Sequence, residues 1–229
     1  MPPRTLVIAC GALARELTTL VRREGWTAIE VQCLPSAWHN RPERIPEGVR
    51  EKIRAARARN DIDRIFVAYA DCGTGGALDA VLGEEGAERI PGAHCYEFFA
   101  GGQAFADLHE AEPGTLYLTD YLARNFDRLI LEGLGIDRHP ELEAMYFGNY
   151  RRLVHLAQTR DGTLRAAARA AAERLGLEFE HRFTGYGDLE PFLARAGAGA
   201  GAGAGPGAGD SGRAGTGPPG SGRAGPPAA

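Results

Sequence analysis

Short apolar runs rich in β-branched residues recur along this chain, and each is followed by a stretch with helical spacing. Residues 4–9 (RTLVIA), 27–33 (TAIEVQC), 63–70 (DRIFVAYA), 115–119 (TLYLT), 152–157 (RLVHLA) and 177–183 (LEFEHRF) read as strands. Between them, Leu13, Leu17, Leu20 and Val21 mark one face of a helix over 12–24. Val49, Ile53 and Ala56 mark a second helix, which opens at Ile45 with Pro46 in its first turn. Further helices are expected from Gly76, through Tyr121 to Ile130, over 140–146, over 163–175 and over 188–194; residues 88–106 are harder to read and fit a short strand leading into a helix. Parallel strands cannot be joined by tight hairpins and need crossovers of helix length. The alternation therefore predicts an α/β fold: a mostly parallel sheet with helices on both faces, built of strand–loop–helix modules.

The pattern stops near residue 195. Residues 195–229 are dominated by Gly, Ala, Pro and Ser and hold no aromatic or large aliphatic side chain. Such a segment cannot bury enough apolar surface to offset its chain entropy, so it reads as a disordered tail. Residues 1–194 are then one domain. A net charge of −4, with no cluster of Lys and Arg among aromatics, is no nucleic-acid footprint. No apolar run approaches the ~18 residues of a membrane span. The start of the chain lacks the flanks of a secretory signal. A cytoplasmic, reducing compartment is the expectation, and there loop cysteines more often bind metals or react than form disulfides.

Three of the four cysteines fall where an apolar run breaks into a loop: Cys10, Cys72 and Cys95. The carboxyl ends of parallel strands share one crevice, where ligands bind. The three sulfurs are thus expected to converge within metal-bridging reach, while Cys33 reads as core. Cys72 lies in Asp71-Cys72-Gly73-Thr74-Gly75-Gly76. Gly73, Thr74, Gly75 and Gly76 form a candidate ligand-binding loop, since glycines permit close backbone approach and the next helix points its N–H groups there. A helix N-terminus would favour an anionic group or the Cys72 thiolate. His94 is a candidate ligand beside Cys95. His39, in a polar and aromatic loop, is a candidate ligand or acid/base. Asp120 either orients an imidazole or caps the following helix. Three thiolates with an imidazole suit zinc, and three thiolates also suit an iron–sulfur cluster with one open iron. A metal-dependent enzyme, a non-enzymatic binding protein and a metal-free cysteine enzyme all remain open.

The segments ACGAL, LPSAWHNRPERI, VAYADCGTGG, GAHCYEFFAG, EPGTLYLTDYLARNFD, GLGIDRHPEL, YFGNYRRLVHLAQT and LGLEFEHRFTGYGDL together resemble an uncharacterised prokaryotic family, domain of unknown function 1638. The resemblance covers about residues 4–193, and Cys10, His39, Cys72 and Cys95 stand at its motif positions. It implies a setting near corrinoid-dependent methyltransferase components, and hence a metal–thiolate role close to methyl transfer on a small anionic or methylated substrate. It transfers no defined reaction.

Overall fold

The computed structural model describes residues 3–197. Strand β1 (Thr5–Cys10) is buried along its whole length. An uninterrupted apolar strand with no polar face suits only the middle of a sheet covered on both sides. It pairs in parallel with β2 (Ile29–Leu34) on one side and β3 (Arg64–Ala68) on the other. The two-residue strand β4 (Glu88–Arg89) extends the order to β2-β1-β3-β4. Between these strands run α1 (Ala14–Arg23), α2 (Ile45–Ala58) and α3 (Ala77–Glu84). Edge strand β2 carries Glu30 and Gln32 and stays half-buried, as an edge should.

The expected α/β class is the one found, but the strands divide into two sheets. Pro91, two residues past β4, has no N–H to donate to a ladder. The short strand expected from residue 88 is β4, and the helix expected after it forms as two, α4 (Cys95–Ala100) and α5 (Gly102–Ala111). The chain then starts a second parallel sheet of β5 (Thr115–Thr119), β6 (Arg152–Ala157) and β7 (Glu178–Phe183), in that order. Here β6 is the buried centre. The EFEHRF pattern of β7 alternates charge with apolar groups, which fits an edge. On one face Leu116, Leu118 and Leu153 pack with Ala168, Ala171 and Ala172 of α8 (Gly162–Arg174). On the other, Tyr117, Val154 and Leu156 pack with Tyr96 and Leu108.

Helix α4 is wedged between the halves. Its Phe98 and Phe99 join the core of the first sheet, while Tyr96 packs 5.6 Å from Tyr117 of the second. The last helix among the described residues, α9 (Leu189–Gly197), crosses back. Phe192 meets Phe66 edge-on at 5.6 Å, and Thr5 Oγ1 donates to the Ala196 carbonyl at 3.1 Å. This helix runs on through Gly197, past the boundary expected at residue 195. The rest of the expected tail lies outside the described residues. Among those residues, no helix is long and apolar enough to cross a membrane.

The return crossing depends on Gly187. Its φ is +50°, and Asp188 N–H donates to the Phe98 carbonyl at 2.7 Å. A Cβ at 187 would stand 2.2 Å from Phe98 O and 2.6 Å from Phe99 O, both backbone atoms that cannot swing aside. Gly187→Ala should therefore lose about 2–4 kcal/mol in urea unfolding. Gly176→Ala has a similar φ of +66° but nothing within 4 Å, and should lose only about 1 kcal/mol. Equal losses would show that the close approach at Gly187 is not real.

Candidate functional site

A cavity opens where the carboxyl ends of β1, β2 and β3 face the end of β5. Cys10 ends β1 and lines it. Its Sγ accepts from Ala12 N–H at 3.5 Å, and burial pushes its thiol pKa up. Tyr69 follows β3 and also lines the cavity. Its buried hydroxyl has the Cys10 thiol, a weak acceptor, beside it and no stronger partner. Burial, then the neighbouring Cys10, drives its ionisation far above the usual tyrosine range.

Cys72 sits in the left-handed region at φ +50°, which a side chain rarely occupies. Two backbone bonds impose this: Asp71 N–H to Gly92 O at 3.0 Å, and Cys72 N–H to Ala93 O at 2.8 Å. Helix α3 begins five residues later, at Ala77, so its N-terminus does not govern the thiol. Burial does, followed by the field of Cys10, and the Cys72 pKa is pushed up to about 12. The lowering expected at Cys72 is thus reversed. Cys95, first residue of α4, lines the same cavity. Burial, Cys72 and Cys10, in that order, raise its pKa well above the usual thiol value. The wall therefore presents three neutral thiols.

The glycine loop is occupied from within. The Asp71 carboxylate accepts from Thr74 Oγ1 at 2.7 Å, Gly76 N–H at 3.0 Å and Gly75 N–H at 3.1 Å. Burial works against its charge, but these bonds outweigh that and hold its pKa below the usual carboxylate range. Gly73, Gly75 and Gly76 all have positive φ, so the loop needs glycine for its shape. The N–H groups of Gly75 and Gly76, expected for a ligand, are engaged by the protein's own anion.

His39 lies in the short 3-10 turn Ser36–Asn40 and lines the cavity. His94 does not line it. It is half-buried before α4, with its ring 6.2 Å from that of Tyr96 and Nδ1 unpartnered; burial lowers its pKa. Cys33 packs against the first core from β2. Tyr121 closes the far wall: its hydroxyl donates to Ser36 Oγ at 2.8 Å, joining the two halves.

Asp120, first residue of α6 (Asp120–Arg124), does not cap that helix; Thr119 does, its Oγ1 accepting from Leu122 N–H at 3.3 Å. The Asp120 carboxylate instead meets His155 Nε2 at 3.0 Å. It also accepts from Thr159 N–H at 2.8 Å and Thr159 Oγ1 at 2.6 Å. Burial opposes ionisation, yet the bonds from His155 and Thr159 prevail and keep its pKa low. No local pattern in the sequence marks Tyr69, His155 or His181 as site residues. A weaker signal exists for His155: a histidine inside an otherwise apolar central strand must find a polar partner.

Among the described residues, no three side chains of His, Cys, Asp or Glu are grouped so as to hold a metal ion. The cavity gathers the cysteines but offers no ready ligand set for zinc or an iron–sulfur cluster. A family model described as "Protein of unknown function (DUF1638)" matches residues 33–193. No curated protein and no solved structure matches the chain.

The thiols give a pH test. An unfolded thiol loses its proton near ~8.5, whereas folded Cys72 holds it to about 12. The folded state binds more protons across that window, so its stability is complete below it and falls as pH rises through it. The urea midpoint should drop steadily from pH 8.5 to 11, and less steeply in Cys72→Ala. Parallel curves for the two proteins would mean that Cys72 is not held neutral.

Proposed function

This chain belongs to the DUF1638 family, and from the chemistry of its cleft we propose that it binds a compact, uncharged small molecule between its two sheets. One observation carries the reading. Tyr69 is 2% exposed, and its hydroxyl has only the soft Cys10 thiol for a partner, in a cavity that also holds three neutral thiols. A buried hydroxyl without a strong partner costs ~1–3 kcal/mol, and an acceptor atom on a ligand would recover that. Among the described residues, no Asp, Glu, Lys or Arg lines the cavity. Only the imidazole of His39 could meet a charge there, which favours an uncharged ligand over the anionic substrate expected from the glycine loop.

Size narrows the class. The cavity measures about 60 Å³, where one water needs ~10–15 Å³ on the same measure. That suits a ligand of several non-hydrogen atoms and is far too small for a corrinoid. The ligand class is then a small ketone, amide or similar acceptor, set against Tyr69 with Cys10 and Cys72 beside it. Neutral thiols are weak nucleophiles, so in this cleft they serve as hydrogen-bond donors and soft contacts.

A second reading keeps the metal, because Cys10, Cys72 and Cys95 share one cavity, Cys10 raises the pKa of Cys72, and both raise that of Cys95. A thiophilic ion would deprotonate the thiols it ligates, and would need them to draw together. Elemental analysis of anaerobically purified protein decides between the two. About one metal per chain, lost in Cys72→Ala, favours the metal; metal-free folded protein favours the organic ligand.

Tyr69→Phe tests the first reading without knowledge of the ligand. Removing a buried hydroxyl that lacks a strong partner should stabilise the free protein by about 1 kcal/mol in urea unfolding. In a thermal-shift screen, small ketones and amides should raise the wild-type melting temperature more than carboxylates of equal size, and lose that effect in Tyr69→Phe. Shifts from carboxylates alone would overturn the proposal.

A further inference from the structure

Behind the cleft wall, one residue past Thr119, lies a hydrogen-bonded chain that the cavity does not use. Leu118, His155 and His181 occupy matching positions on β5, β6 and β7, so their side chains share one face of the second sheet. His155 is fully buried, and Asp120 is 1% exposed. His155 Nε2 is 3.0 Å from Asp120 Oδ1, and His155 Nδ1 is 3.2 Å from His181 Nδ1. His181 is half-buried on the edge strand.

Each contact in this chain needs one proton. Asp120 Oδ2 accepts two bonds from Thr159, and the carboxylate is held ionised, so it has no proton to give. The proton between Asp120 and His155 therefore belongs to His155 Nε2. The 3.2 Å contact between the two Nδ1 atoms needs a second proton. An imidazolium at His155 would supply it and leave His181 with its own proton on Nε2, whereas a neutral His155 has a bare lone pair on Nδ1 and takes the proton from His181. A neutral His181 with its proton on Nδ1 has a bare lone pair on Nε2.

We propose that Asp120 and His155 hold His181 as a base, with Nε2 bare and ready to take a proton from the hydroxyl, thiol or bound water of a ligand at the β7 edge. In that step the X–H bond of the donor breaks and its electron pair stays on X. The proton goes to Nε2, and His181 becomes an imidazolium whose charge is balanced through His155 by Asp120. The surroundings favour the free base: burial above all lowers the His181 pKa, and Arg165 of α8 acts in the same direction, against the pull of Asp120. The charge of Asp120 in turn raises the pKa of Glu16 of α1 and of Tyr186 beyond β7. Asp120 and His155 are positioning residues here, and His181 is the group that would touch the ligand.

The test reads protons directly and needs no ligand. Long-range proton–nitrogen NMR of the full chain at pH 7.5 should show His155 protonated on Nε2, and His181 protonated on Nδ1 with Nε2 bare. In Asp120→Asn, the amide oxygen is retained by the two Thr159 donors, which turns the NH2 toward His155 Nε2. The chain then inverts, and His181 should carry its proton on Nε2. Acylation of His181 by diethylpyrocarbonate should fall at least tenfold in that variant, while labelling of exposed His139 stays unchanged. A wild-type spectrum with Nε2–H on His181, or an unaltered His181 in a folded Asp120→Asn protein, would overturn the assignment. If Asp120→Asn does not fold, the wild-type spectrum alone decides.

Discussion

The burial of β1 on both faces is the constraint on which the first half rests. Leu6, Val7, Ile8 and Ala9 have no exposed surface. Each apolar side chain taken from water contributes ~1.5–3 kcal/mol, so the strand has no alternative register with comparable burial. Its parallel neighbours are set against it residue by residue, and their carboxyl ends come level. That brings Cys10 beside Tyr69 and Cys72. The neutral thiols are a consequence: a cysteine ending a fully buried strand has little water to stabilise its anion.

The two halves of the molecule treat charge differently. On the first sheet, the cleft wall is neutral, and its one nearby carboxylate, Asp71, is turned inward onto its own loop. On the second, a carboxylate is buried and kept ionised by an imidazole and a threonine. A neutral wall suits donors to an uncharged ligand, while a buried ion can fix the proton on a neighbouring ring. Tyr121 bridges these settings, since it follows Asp120 in sequence and hydrogen-bonds across the cleft to Ser36.

Much of this was legible in the sequence, for a physical reason. Strands 115–119 and 152–157 have the bounds that periodicity gives, because TLYLT and RLVHLA are apolar enough to admit one assignment. The placing of Cys10, Cys72 and Cys95 at the ends of modules could be read from where apolar runs give way to small residues. The division into two sheets could not. It turns on the stop at Pro91 after a two-residue strand, a boundary too fine for periodicity to register. Nor could the raised pKa of Cys72 be read. A glycine loop before a helix looks alike whether its N–H groups are free or taken, and the partner here is the adjacent Asp71 itself. The His155–His181 contact depends on the register of two strands, which no local pattern encodes.

The return of α9 to the first sheet sets an order of events on chain synthesis. Strand β1 is among the first segments made, yet Leu189, Phe192, Leu193 and Ala196 complete the core around it. Thr5 waits for the carbonyl of Ala196. The second sheet is synthesised in between, and its strands pair only with one another. Local pairing forms faster than contacts across the whole chain. The half that bears the cysteines is therefore complete only when α9 has packed against β1.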